Sequence, residues 1–262
     1  VFEKGGEQMP VEAAEDQELT IDEYMADVGV DMLHAGGMKR TEELAEMCLI
    51  SDGKSVLDIG CGYGRSSHYL AEKYGCKIFG LDVSKRMIHG ARAKTRKLCL
   101  WENVNFLVAD ATGIPFQAES FDIVISEGTT VLIDKVKALR EYIRVTKRGG
   151  SVGLNELSWM KAPSKAIIER TVKDLRGTLP LQSSEWAQLL TNLGLENIEY
   201  RSYRYKSTSW DVIRSLGLSS LTKVGITYLR DPKVRKWVNR QETLFRDYID
   251  YWGYGLYTAR KP

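Results

Sequence analysis

Nine consecutive residues of this chain, 56–64 (VLDIGCGYG), place an acid and three alternate glycines directly after an apolar run. Asp58 is the acid, and Gly60, Gly62 and Gly64 follow, with Cys61 between the first two. Glycines at that spacing let a backbone turn sharply and let a ligand touch it with no side chain in the way. If a helix starts there, its free N–H groups favour a carboxylate or phosphate. Two further acids extend the pattern. Asp82 lies 24 residues beyond Asp58, where a carboxylate can accept from both vicinal hydroxyls of a ribose. Asp110, in Ala109-Asp110-Ala111, can accept from the exocyclic amine of an adenine. Taken singly, each acid can equally be a helix cap or turn residue, and the glycine turn can simply be tight.

Residues at those places need elements to carry them. From residue 55 short apolar runs alternate with helical stretches: strands at 55–59 (SVLDI), 77–81 (KIFGL), 103–108 (NVNFLV), 121–126 (FDIVIS) and 151–156 (SVGLNE). Helices are expected from the glycine turn to about 74, over 84–98 and over 130–146. Repeated strand–helix units with β-branched strands imply a parallel sheet covered on both faces. The three acids then fall at the carboxyl ends of consecutive strands, where open α/β sheets bind ligands. Beyond Leu157 the alternation loosens into helices over 163–176 and 184–193, a strand over 197–206, helix over 209–250 and a last strand over 252–260.

Before residue 55, Thr20 and Glu23 form a capping box for a helix bearing Ile21, Tyr24, Met25, Val28 and Met32 on one stripe. Gly36 and Gly37 stop it, and Thr41 is expected to begin another helix with Leu44, Ala45 and Cys48 inward. Residues 1–18 read as a loosely held acidic tail.

Composition excludes several classes of function. The 262 residues carry 37 Lys+Arg against 35 Asp+Glu and 43% apolar residues, a globular balance. Residues 1–50 hold 13 acids and 3 bases, whereas 201–262 hold 13 bases and 5 acids. That asymmetry allows an anionic substrate, nucleic acid, or contact between the chain's own ends. No apolar stretch is long enough to span a bilayer, and the first residues lack the apolar core of a signal peptide. A cytoplasmic protein without a membrane role is expected. Cys48, Cys61, Cys76 and Cys99 match neither a zinc nor a redox spacing, and His34, His68 and His89 are scattered, so no metal site is expected.

The chain resembles the class I S-adenosylmethionine-dependent methyltransferases. VLDIGCGYG, GLDVS, ADATGIPF, FDIVISEG and the TKRGG turn before SVGLNE carry the resemblance, with SSEWAQLLTNLGLENIEY and WGYGLYTARKP matching the distal strands. It covers about residues 51–206 and 251–262, and it implies a Rossmann-like α/β fold with seven strands, the last antiparallel. The implied organisation is an N-terminal tail and lid over 1–50, a cofactor-binding core over 51–206, a helical cap over 207–250 and the final strand over 251–262. The implied cofactor is S-adenosylmethionine. Asp58 and the Gly60, Cys61, Gly62 and Gly64 turn would hold its methionine end, Asp82 its ribose and Asp110 its adenine. Val83, Met87 and Ala111 would pack the adenine, and Ser126 and Glu127 would border the methyl group.

The expected reaction is in-line methyl transfer to a small-molecule acceptor by a monomer or homodimer. Tyr24, His34, Gly36, Gly37 and Thr41 are similar to the lid of phosphoethanolamine methyltransferases. The histidine those enzymes carry after strand four aligns with Leu132, so only the lid is carried over. Tyr24, His34 and Glu127 are the catalytic candidates, and Glu156 at the end of strand five is a comparable one. A dinucleotide turn would need a glycine where Arg65 stands, and base-methylating enzymes have a proline motif where this chain reads Ser126-Glu127-Gly128-Thr129. Methylation of RNA or protein, and a non-catalytic cofactor-binding scaffold, are the alternatives.

Overall fold

The computed structural model describes residues 34–175, 177–205 and 218–262. Tyr24, the helix expected around it and the tail expected before it fall outside the described residues.

Helix α1 (Met38–Met47) leads into strand β1 (Ser55–Ile59), α2 (Arg65–Tyr74), β2 (Lys77–Asp82), α3 (Lys85–Lys97) and β3 (Val104–Val108). Then come β4 (Phe121–Glu127), a 3-10 turn (Thr130–Leu132), α4 (Lys135–Val145) and β5 (Thr146–Trp159). The distal part holds α5 (Lys165–Asp174), β6 (Leu181–Gln182), α6 (Ser183–Asn192), β7 (Glu196–Arg204), α7 (Leu218–Arg230), α8 (Pro232–Asp247) and β8 (Trp252–Arg260).

One sheet runs in the order β3-β2-β1-β4-β5-β8-β7, with β6 paired to the end of β5. The first five strands are parallel, and β8 inserts antiparallel between β5 and β7, so β7 again runs with the core. Central strands such as β1 are buried on both faces, which is why they read as continuous apolar runs. Strand β7 is an exposed edge studded with Glu, Arg and Tyr, a composition that discourages further pairing. One face of the sheet packs Leu57, Val124, Leu154, Tyr142, Trp186 and Tyr257. The other packs Val56, Ile78, Ile125 and Leu256 with Leu44, Cys48 and Leu70.

Three expectations shift. Strand β5 has 14 residues, because Thr146 already pairs with Phe121 and the distal end gains Trp252 and β6 as partners. The helix after β4 is split into the 3-10 turn and α4, whose start is capped by the Asp134 side chain. Helix α1 starts three residues before Thr41, after Gly37, so Thr41 sits one turn inside and is not a cap. Its hydroxyl is free for other work.

Candidate functional site

The sheet brings Asp58 and Asp82 together at the carboxyl edge. Ile59 of β1 lies beside Leu81 of β2, and the amides of Gly60 and Cys61 donate to the Leu81 carbonyl at 2.8 and 3.0 Å. Gly60, Gly62 and Gly64 all take positive φ, and Gly64 caps α2 in the left-handed conformation. A Cβ on Gly60 would lie 2.0 Å from Thr129 Oγ1, whereas one on Gly62 would meet nothing within 4 Å. The turn is therefore tight at Gly60 against Thr129 and at Gly64 against Phe106, and open at Gly62 between them.

Asp58 is 3% exposed, and the Ser67 hydroxyl donates to its Oδ2. Burial pushes its carboxyl up to about 7 against the pull of Ser67, with Glu127 and Asp82 adding to the rise. A buried carboxylate with that environment fits a cationic partner such as an amino acid's ammonium. Asp82 accepts from Gly62 N at 3.0 Å through Oδ2 and from Ser84 N at 2.9 Å through Oδ1, which fixes the orientation of its carboxylate at the strand end. Asp110, just past β3, accepts from the Thr112 amide and hydroxyl through Oδ1, and those bonds hold its carboxyl low. Met87 and Ala111 are buried and Val83 is 68% exposed. Cys61 donates weakly to the Gly62 carbonyl, and burial raises its thiol well above the ordinary range. Ser126 turns its hydroxyl to Thr130 and Glu156 in the interior.

A second cluster forms where β4 and β5 end. Thr41 Oγ1 donates to Glu127 at 3.0 Å, and His34 Nε2 lies 3.4 Å from the same hydroxyl. His34 Nδ1 is 3.5 Å from Glu127 Oε2, both side chains being less than a tenth exposed. The Asn155 amide nitrogen reaches His34 Nδ1, the Ala35 carbonyl and Glu127 Oε2 at 3.1–3.2 Å. Its Oδ1 is buried and, among the described residues, has no hydrogen-bond partner. Register explains the meeting, because Glu127 pairs with Asn155 across β4 and β5.

Helix α1 holds Thr41 in place. A Cβ on Gly153 would lie 2.4 Å from Cys48 Sγ, so glycine there lets α1 sit close on β5. Glu43 binds Arg201 and the Tyr203 hydroxyl of β7, and Glu42 binds the Tyr69 hydroxyl and Lys73 of α2. Arg40 lies 3.8 Å over the Tyr203 ring.

Among the candidates read from sequence, His34 and Glu127 thus converge, while Tyr24 lies outside the described residues. Glu156 does not join them: it is one residue from Asn155 and projects to the opposite face. Its carboxylate accepts from Thr130 N and Val131 N at 2.8 and 3.2 Å. Asn155 and Ser67 join the site without a local sequence signal: Asn155 stands beside Glu156 in β5, and Ser67 lies in the first turn of α2. His68 is buried against Thr95 and Phe106, a packing residue. Within the basic stretch at 92–97, Arg92 binds the Phe106 carbonyl. The four cysteines are free, and among the described residues no group of three or more His, Cys, Asp or Glu can hold a metal ion. None of the described helices is long and apolar enough to cross a membrane.

A family model described as a methyltransferase domain matches residues 56–150. The chain is 27% identical over 243 residues to methyltransferase GfsG of Streptomyces halstedii, covering 89% of this chain and 83% of that one. It is 31% identical over 199 residues to phosphoethanolamine N-methyltransferase 1 of Zea mays, covering 75% of this chain and 39% of the relative. Among solved structures, the [4+2]-cyclase SpnF superposes with a TM-score of 0.72 at 23% identity, covering 86% and 80% of the two chains. Phosphoethanolamine N-methyltransferase 2 of Haemonchus contortus with S-adenosylmethionine gives 0.71 at 21% identity, covering 92% and 56%.

Proposed function

The chain belongs to the class I S-adenosylmethionine-dependent methyltransferases, an enzyme whose cofactor is S-adenosylmethionine, and on that premise we propose that it methylates a hydroxyl of a small molecule. Because a cyclase shares the fold, the fold alone does not decide the chemistry, and the reading rests on the site. The observation that carries it is the His34–Glu127 pair, 3.5 Å apart and packed with Thr41 and Asn155 beside the cofactor acids.

When bound, S-adenosylmethionine supplies an activated methyl group for in-line displacement. Asp58 and the Gly60–Gly64 turn bind the ammonium and carboxylate of the amino-acid end, Asp82 the ribose hydroxyls and Asp110 the adenine amine. Val83, Met87 and Ala111 flank the base. An acceptor hydroxyl must lose its proton as it attacks, and His34 takes it. Glu127 stabilises the resulting imidazolium, while Asn155 and Thr41 orient the pair. The orphaned Asn155 Oδ1 further supports an acceptor bearing a hydrogen-bond donor. Helices α7 and α8 together with α1 are the elements we assign to covering the acceptor. Leu132 stands where phosphoethanolamine enzymes carry histidine, which turns the reading away from a phosphobase despite the 31% identity.

The test is transfer from methyl-labelled S-adenosylmethionine to a panel of small hydroxyl compounds, with RNA and protein fractions as competitors. His34→Ala and Glu127→Gln should bind S-adenosylhomocysteine within about threefold of the wild type and lose about 10²–10⁴ in transfer rate. Label appearing only in RNA or protein would refute the small-molecule reading. Undiminished transfer by His34→Ala would remove the base.

A further inference from the structure

We propose that Glu156 is a positioning residue of the methyl-transfer site, anchoring the loop between β4 and α4 from the far face of the sheet so that Thr129 stays against the cofactor turn and Gly128 against His34. The proposal rests on the reading above that this loop borders the transferred methyl group.

Glu156 is fully buried in β5, on the face that packs Leu154, Tyr142 and Tyr257. A carboxylate there carries a desolvation penalty that packing gives no reason to bear. What it obtains is the loop. Oε1 accepts from the Thr130 amide at 2.8 Å and Oε2 from the Val131 amide at 3.2 Å, the free N–H groups at the start of the 3-10 turn. The Ser126 hydroxyl lies 3.4 Å from Oε1 and 2.9 Å from the Thr130 hydroxyl, which in turn faces Tyr142. Lys135 closes the arrangement, donating to the Val131 carbonyl while its charge faces Glu156. Tyr142 and Tyr257 are the other titratable groups whose fields reach it. Burial pushes the carboxyl up to about 7, against the pull of those amides and of Lys135.

The anchored loop is where the two clusters meet. The Gly128 amide donates to the Asn155 carbonyl at 2.7 Å, and a Cβ on Gly128 would lie 3.4 Å from His34 Cβ. One residue on, Thr129 fills the space over Gly60. Releasing the Thr130 and Val131 amides frees that wall without altering Asp58, Asp82 or the glycine turn, none of which bonds to Glu156.

Glu156→Gln and Glu156→Ala in the full chain test this, with S-adenosylhomocysteine as the probe. Hydrogen exchange should quicken over residues 126–133 and remain unchanged in β1 and β2. Affinity for S-adenosylhomocysteine should fall about tenfold in Glu156→Ala and less in Glu156→Gln, which keeps one acceptor oxygen. Thermal melts identify any variant that fails to fold; in that event Glu156→Asp, which keeps the carboxylate on a shorter stem, should fold and show the same loop-confined exchange. Unchanged exchange at 126–133 overturns the anchor, and faster exchange with unchanged affinity overturns the positioning role. A wild-type chain that does not bind S-adenosylhomocysteine would instead bring down the cofactor reading, an outcome distinguishable because it appears before any substitution.

Discussion

The two halves of the sheet's carboxyl edge are built on different plans. On the β1–β2 side, Asp58, the glycine turn and Asp82 lie within 25 residues of one another, and backbone amides do most of the holding. On the β4–β5 side, His34, Thr41, Glu127 and Asn155 are drawn from the segment around α1 and from two separate strands, and side-chain contacts do most of the holding. A ligand common to many enzymes can be bound by a compact local motif, whereas the acceptor half can be exchanged residue by residue on the same frame. The halves touch at Gly60 and Thr129.

That contact gives the largest expected effect. Gly60→Ala places a Cβ 2.0 Å from Thr129 Oγ1 and 2.7 Å from its Cβ, at a φ of +68°. Left-handed strain of about 1–2 kcal/mol and overpacking of about 1–3 kcal/mol should together cost about 2–5 kcal/mol, read by urea melts. Binding of S-adenosylhomocysteine should be lost at the same time. A variant with near-native stability and intact binding would mean that the two halves are not mechanically joined there.

Asp82→Ala separates them next. Removing a charged acceptor of hydrogen bonds is worth about 1.5–3 kcal/mol, or about ten- to hundredfold in affinity for S-adenosylhomocysteine by calorimetry. Glu127→Gln should leave the same affinity within about threefold. Equal losses in the two variants would erase the division between cofactor and acceptor halves.

The fold, and the meeting of Asp58 and the glycine turn with Asp82, were legible because both are written in local patterns. Alternating apolar runs gave the parallel strands, and an acid followed by glycines needs no tertiary knowledge to be suspicious. Strand β8 matched residue for residue at 252–260, an aromatic-rich run that stops just before Lys261 and Pro262. The acceptor half was legible only in fragments. Thr41 looks like a helix cap because threonine often is one, yet Gly37 already ends the preceding turn. Asn155 and Glu156 are adjacent, and only the register of β4 against β5 says which of them faces Glu127. The two-residue β6 and the length of β5 depend on neighbours that no local pattern announces.

Proton linkage makes the comparison sharper. An unfolded aspartate ionises near pH 4, whereas burial holds Asp58 at about 7, so between those values the folded chain keeps a proton that the unfolded chain has released. Stability from this group therefore falls as pH rises from about 4 to 7 and is level above. The ammonium of S-adenosylhomocysteine favours the ionised carboxylate, so binding near pH 6.5 should expel a proton, and affinity should weaken by at most about tenfold per unit below pH 7. Calorimetry in two buffers of different ionisation enthalpy measures that release. Asp58→Asn should abolish it; release that persists would point to Glu156, the other buried carboxyl near 7.

The smallest expected effect comes from the acceptor side. Thr41→Val keeps the shape of the side chain and removes only the hydroxyl that donates to Glu127. Because α1 begins at Met38 and takes no side-chain cap, its first turn does not depend on that hydroxyl. The change should cost about 1 kcal/mol, a single buried hydrogen bond, with Thr41→Ser costing less. Affinity for S-adenosylhomocysteine should not move, since no residue of the glycine turn bonds to Thr41. Hydrogen exchange over residues 38–42 is the deciding measurement. Unchanged protection there assigns the hydroxyl to the Glu127 cluster, whereas fraying of the first turn would return Thr41 to the capping role that its sequence position suggests.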